Sequence, residues 1–281
     1  MIRLGLIGCG AWGKNYVAAA EESGVAVITH AVSRSAERLS KPMACFADWH
    51  DILGEPLDGF IVSTPPEPRA EIILELAQSN MPMMVEKPLC LSSQEAIAIQ
   101  SVLGDAPFLV DYVHLFAPAY EELRERVGDL DGRMRCYGRS SGPTKRSYSL
   151  LWDHAPHDLS MCLGLGAAHA VKADVRDMAG DGGVELNVQF EGDIDARLRF
   201  SYGQKRREFS VTCGGHGFGY DGDDGSLVID GVSKLFTEKP LTRAVRCFAE
   251  AIRTGKTNWR FGIDDSVTIT RVLEEVQRAA G

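Results

Sequence analysis

Three glycines, at positions 8, 10 and 13, follow directly on the apolar run from Ile2 to Ile7 at the head of a 281-residue chain. This pattern constrains the fold more than any other feature. A buried strand ending in Gly-x-Gly-x-x-Gly turns tightly, lets backbone approach a charged group, and opens a helix whose N-terminus carries the positive end of the peptide dipole. Gly8, Gly10, Ala11, Trp12 and Gly13 become candidate contacts of a dinucleotide's pyrophosphate. Glycines also serve plain turns; the fingerprint gains its weight from standing between a strand and a helix.

The pattern beyond it agrees. Through residue 117, short apolar strands (2–7, 25–32, 60–63, 83–85, 108–113) alternate with helical stretches at 16–22, 67–79 and 92–103. Ser92 and Glu95 have capping-box spacing. Such alternation predicts a parallel sheet built from right-handed crossovers. After a linking helix at 118–127, strands cluster instead, at 133–139, 171–178, 184–190, 196–202 and 207–213. Val184, Leu186, Val188 and Phe190 alternate with polar residues, the period of an antiparallel sheet with one face packed. Residues 214–225, glycine-rich with Asp221, Asp223 and Asp224, read as a flexible hairpin or lid, and two helices (242–254, 264–280) close the chain. The expected fold class is α/β: an N-terminal Rossmann domain with a parallel sheet, residues 1–117, and a C-terminal α/β domain with an open, mainly antiparallel sheet, residues 118–281. The cofactor is expected across the C-terminal ends of the parallel strands, with substrate between the domains.

Dinucleotide type is read at the end of the second strand, where a ribose-binding acid ordinarily stands. Here the chain runs Ala31, Val32, Ser33, Arg34, Ser35, with no carboxylate before Glu37. A hydroxyl and a guanidinium hold a 2′-phosphate, which an acid would repel, so Ser33 and Arg34 favour NADP over NAD.

A formal charge of −9 argues against nucleic acid or an anionic membrane as partner. Seven cysteines without a Cys-x-x-Cys pair suit a reducing cytoplasm, and no stretch approaches the ~20 apolar residues of a membrane span. The expectation is a soluble, cytoplasmic protein. His154, His157 and Asp158 are near one another in sequence, but His-x-x-His is not the usual ligand spacing and no further ligands are evident, so no metal is expected.

Glu86-Lys87-Pro88 directly after a strand, Ser63-Thr64-Pro65 after an earlier one, Asp153-x-x-x-His157, and the closing run Pro240-Leu241, Phe248, Ala251-Ile252 and Gly255 together resemble the Gfo/Idh/MocA oxidoreductase family. The resemblance covers nearly the whole chain. It departs where Arg69 replaces a usual histidine and where Leu150-Leu151-Trp152 replace glycines before the aspartate. It implies an NAD(P)-dependent dehydrogenase or reductase acting on CH–OH groups of a sugar, polyol or related small molecule. It also implies a dimer surface on the second sheet, making a homo-oligomer. Ser63, Thr64, Pro65, Glu86 and Lys87 would join the cofactor contacts, and a cis bond would precede Pro88, although a turn proline is usually trans.

By the same resemblance Lys87, Asp153 and His157 are the catalytic candidates. Moving a hydride to or from a carbinol carbon requires a proton transfer at the same oxygen. An imidazole exchanges protons near neutral pH, and an ammonium favours a developing alkoxide. Asp153 and His157 share a helical face, so His157 suits the acid/base role with Asp153 orienting it or binding hydroxyls. Whether Lys87 or His157 moves the proton stays open, as do plainer roles: a surface lysine and a satisfied core histidine. Two rival functions keep the fold: an NAD-dependent glycoside hydrolase working by transient oxidation, and a non-catalytic nucleotide-sensing regulator.

Overall fold

The computed structural model describes residues 1–10, 12–33, 43–143, 147–178, 182–259 and 261–280. The chain forms two compact units, Met1–Asp111 with Leu241–Val267, and Tyr112–Pro240 with Thr268–Gly281. The chain therefore returns to its first unit after leaving it, a path that the contiguous division at 117 and 118 lacks.

The first unit holds a six-stranded parallel sheet: β1 (Ile2–Ile7), β2 (Ala26–Val32), β3 (Ala44–Phe46), β4 (Gly59–Val62), β5 (Met83–Glu86) and β6 (Phe108–Asp111). Their order is β3-β2-β1-β4-β5-β6, so the direction of winding reverses between β1 and β4. At such a switch point the loops after neighbouring strands diverge and leave a crevice at their carboxyl ends. The middles of the central strands are buried; Leu4, Leu6, Phe60, Ile61, Val62, Met84 and Val85 are at most 1% exposed. That explains their near-continuous apolar runs, because crossover helices cover both faces.

Helices α1 (Gly13–Ser23), α2 (Arg69–Ala77) and α3 (Ser93–Val102) fall where the periodicity placed them. Ser92 caps α3, although its Oγ accepts from Gln94 N–H and not from the residue at capping-box spacing. β3 was not foreseen; it is a three-residue edge strand, too short to show a period. Two later helices follow α4 (Pro118–Gly128) and α5 (Leu150–Gly164), namely α6 (Pro240–Thr254) and α7 (Ile263–Ala280). On α6, Ala244, Val245, Phe248 and Ala251 are buried, and Thr242 Oγ1 donates to Glu22 Oε2 at the end of α1. This apolar stripe ties Leu241–Val267 to the first unit.

The second unit is built on an eight-stranded sheet: β7 (Met134–Gly142), β8 (Ala170–Asp177), β9 (Val184–Phe190), β10 (Ile194–Tyr202), β11 (Arg206–Cys213), β12 (His216–Asp221), β13 (Ser226–Ile229) and β14 (Val232–Leu235). The order is β14-β13-β12-β11-β7-β10-β9-β8; β7 and β10 run parallel and the other pairs antiparallel. Alternation puts Leu186, Val188, Leu198, Phe200, Phe209 and Val211 on the buried face, where α5 packs against β7 and β10. The segment read as a flexible hairpin or lid is β12 with its following turn, paired antiparallel with β11 and β13, so it is hairpin and not lid. Asp221 Oδ1 accepts from Asp223 N–H at 2.8 Å, and Asp224 Oδ1 from Ser226 N–H at 2.7 Å, so two of the acids shape that turn.

Candidate active site

In the first unit the glycine turn is shaped by what surrounds it. Gly8 has φ +101°, and a Cβ there would lie 2.6 Å from the Ser63 carbonyl carbon; one on Gly13 would lie 2.5 Å from Gly8 O. Neither position admits a side chain, because the β1 turn packs directly on the β4 turn and on its own helix. Gly10 is exposed, with open space where a Cβ would point. The N-terminus of α1 carries no acidic side chain in its first turn, and Trp12 gives no side-chain cap. Asn15 N–H is taken by Trp12 O, and a helix start without a side-chain cap or an acid is one that accommodates an anion.

The β4 turn supplies hydroxyls. Ser63 Oγ and Thr64 Oγ1 are buried and have no hydrogen-bond partner in the protein. Buried hydroxyls are ordinarily paired, so two such groups beside a glycine cradle fit the phosphates and ribose of a dinucleotide. Pro65 is exposed, and Ser33, half-buried at the end of β2, is anchored through its backbone N–H to Phe46 O. Ala11 and Arg34 lie outside the described residues.

Arg69 has a role the sequence did not disclose. It is 2% exposed, and its guanidinium donates to the carbonyls of Thr64, Glu86 and Pro88. One charged, planar fork thus joins the turn after β4 to the turn after β5. The peptide bond between Lys87 and Pro88 is cis, and Lys87 is half-buried. Glu86 points its carboxylate inward: Oε2 accepts from the Tyr16 hydroxyl at 2.8 Å. Burial raises the Glu86 carboxyl above its ordinary range, against the pull of the Lys87 and Arg69 charges.

In the second unit, α5 presents Asp153, His154 and His157 half-buried while its other residues from Leu150 to Cys162 are buried. Asp153 and His157 stand one turn apart on one face, as spacing required. His157 Nδ1 is buried, so proton exchange with anything outside the fold falls to Nε2. His114, in the 3₁₀ turn Val113–Phe116, meets the His157 ring edge-on at 4.9 Å between centroids, and its Nδ1 lies 2.8 Å from Tyr220 Oη. His154 stacks on Phe200, and Asp158 pairs with Arg207 at 3.4 Å, so these neighbours of His157 are engaged separately. Burial pushes the Asp158 carboxyl up to about 6 despite that guanidinium. Trp152 is buried and donates its indole N–H to Gln277, so it belongs to the packing of the second unit.

Arg69, His114, Tyr220, Tyr16 and Asp111 were missed as candidate site residues. Signals for two existed. His114 lies just beyond the carboxyl end of β6, where open parallel sheets collect functional groups, and Asp111 interrupts an apolar strand. Nothing local marks Tyr220.

Residues 2–107 match the Gfo/Idh/MocA family model, an oxidoreductase family with an NAD-binding Rossmann fold. Among curated proteins, the chain is 24% identical over 220 residues to scyllo-inositol 2-dehydrogenase (NAD(+)) of Bacillus subtilis (strain 168), covering 71% of this chain and 63% of that one. The rhizopine catabolism protein MocA of Rhizobium meliloti is 26% identical over 158 residues, 52% of this chain and 50% of its own. The matches thus span between half and just under two thirds of those relatives' length. A solved chain from Magnetospirillum magnetotacticum MS-1 superposes with a TM-score of 0.88 at 26% identity, covering 97% of this chain and 98% of that one. Levoglucosan dehydrogenase in complex with NADH shares the fold, with a TM-score of 0.85 at 16% identity over 99% and 96% of the two chains. Among the described residues no helix is long and apolar enough to cross a membrane.

Proposed function

We propose, from the match of residues 2–107 to the Gfo/Idh/MocA oxidoreductase family model, that the chain is an NAD(P)-dependent dehydrogenase or reductase of a secondary alcohol or ketone in a sugar, cyclic polyol or related small molecule. The observation that carries the reading is the cradle of Gly8, Gly10 and Gly13 beside the unpartnered hydroxyls of Ser63 and Thr64. Relatives named for inositol oxidation support the polyol class.

The dinucleotide, when bound, supplies the hydride donor or acceptor. The glycine turn and the α1 N-terminus would hold its pyrophosphate, and Ser63 and Thr64 would satisfy its polar groups. Ser33 and Arg34 favour the 2′-phosphate of NADP, with NAD, named for the B. subtilis relative, as the alternative. Lys87 would stabilise negative charge on the substrate oxygen, and His157 would take or return its proton through Nε2. Asp153 would orient His157 or bind substrate hydroxyls. Copies of the chain would associate through the polar face of the second sheet.

The test is a fluorescence titration with NADPH and NADH on the wild type and on Arg34→Ala, followed by turnover on a polyol and sugar panel. Expected are tighter NADPH binding that loses its advantage in the variant, and a turnover lower by roughly 10²–10⁴ in His157→Ala, the usual worth of a positioned acid/base group. Binding of neither dinucleotide would sink the reading. A clear NADH preference would overturn only the role given to Ser33 and Arg34.

A further inference from the structure

Tyr16, one turn beyond Gly13 in α1, is fully buried and places its hydroxyl 2.8 Å from Glu86 Oε2 and 2.7 Å from Asp111 Oδ2. Both separations are hydrogen-bonding distances. A phenol, however, has a single proton to donate. It cannot donate to both oxygens, and a carboxylate has no proton to give in return. One of the two carboxyls is therefore a carboxylic acid.

The surroundings decide which. Asp111 is 1% exposed, and its Oδ1 is buried with no hydrogen-bond partner. An anion left in that state would bear the full cost of desolvation. Burial, together with the Glu86 charge, pushes the Asp111 carboxyl up to about 8. Glu86 is half-buried, accepts from the Trp12 indole as well, and faces the charges of Lys87 and Arg69. The donors then run in one direction: Asp111 O–H to Tyr16 Oη, and Tyr16 O–H to Glu86 Oε2.

We propose that Tyr16 and Asp111 are positioning residues that, with Glu86, share one proton and hold a single negative charge on Glu86, beside Lys87 and the glycine turn. The role rests on the reading of Lys87 and that turn as the dinucleotide end of the site. Each element there contributes a group: Trp12 from the turn, Tyr16 from α1, Arg69 from α2, Glu86 and Lys87 from the end of β5, and Asp111 from β6. Loss of the shared proton puts a second negative charge in this cluster, which opposes an anionic dinucleotide and pulls on the bond chain that reaches Trp12.

Infrared difference spectroscopy on the ligand-free protein tests the shared proton directly. The wild type is expected to show the carbonyl stretch of a protonated carboxyl at neutral pH, fading as the pH passes about 8. Asp111→Asn is expected to lack it, and Tyr16→Phe to shift its frequency. In parallel, wild-type affinity for NADPH and NADH is expected to fall about fivefold as the shared proton is lost, the size of one added partly screened charge. In Asp111→Asn that pH dependence disappears. A folded wild type without the band, or an Asp111→Asn variant with unchanged pH dependence, overturns the proposal. If neither dinucleotide binds at any pH, the functional reading fails, and the band alone still decides whether the proton is shared.

Discussion

Asp111 costs the fold stability at neutral pH, and the sign of that cost can be worked out. An unfolded aspartate ionises near 3.9, whereas the buried carboxyl is pushed up to about 8. Between those values the folded chain keeps a proton that the unfolded chain has released. Stability relative to a neutral side chain therefore falls as pH rises, by about 1.4 kcal/mol per unit at most, and levels off once the folded form ionises too. Asp111→Asn removes the ionisation and retains the shape. Thermal unfolding of both proteins from pH 5 to 9 should show the wild type losing ground to the variant up to about pH 8 and holding a constant gap beyond. A gap that does not change with pH would mean the Asp111 carboxyl is already ionised at pH 5. Asp158 has a smaller rise of the same sign, checked by its pairing with Arg207.

Arg69 acts between elements. Its guanidinium spans the turns after β4 and β5, so the backbone around Thr64 and that around Lys87 hold their places together. Removing the fork while keeping bulk, as in Arg69→Met, leaves three carbonyls without that donor. Hydrogen bonds to a charged group contribute roughly 1.5–3 kcal/mol each, less what water regains. A loss of about 3–5 kcal/mol in chemical denaturation is expected, with dinucleotide affinity weakened in parallel; a loss under 1 kcal/mol would mean the turns hold their shape unaided. The sequence did show that residue 69 departs from the family's usual histidine. It could not show that the side chain there turns inward, because an arginine is ordinarily exposed. The helix α5 is the contrasting case: the four-residue spacing of Asp153 and His157 determined their common face in advance, and the fold only had to decide which face stays accessible.

At the scale of the molecule, the second sheet leaves one face polar. Arg135, Tyr137, Lys172, Asp174, Asp195 and Arg197 line a concavity of about 370 Å³ on it, with charges of both signs. A two-fold pairing of such a face can set opposite charges against each other, since an isologous contact presents the same patch twice. Light scattering is expected to find a dimer at low salt that Arg197→Glu weakens. A monomer at every concentration would remove the sheet face from consideration as an interface.

What the sequence determined by itself is what short-range physics encodes. The glycine turn, the alternation of strand and crossover helix, the period of β9 and the shared face of Asp153 and His157 each depend on residues within a few positions of one another, and steric and periodic rules act over that distance. Tertiary structure decided the rest. It put β7 parallel to β10 in a sheet otherwise antiparallel, returned α6 to the first unit, and chose the hairpin over the lid for the glycine-rich segment that forms β12. Above all, it brought Tyr16 to Glu86 and Asp111, 70 and 95 residues away. A carboxyl's protonation depends on burial and on the charges a few ångströms from it, and those neighbours are chosen by the packing of β5, β6 and α1 together, not by any one stretch of chain.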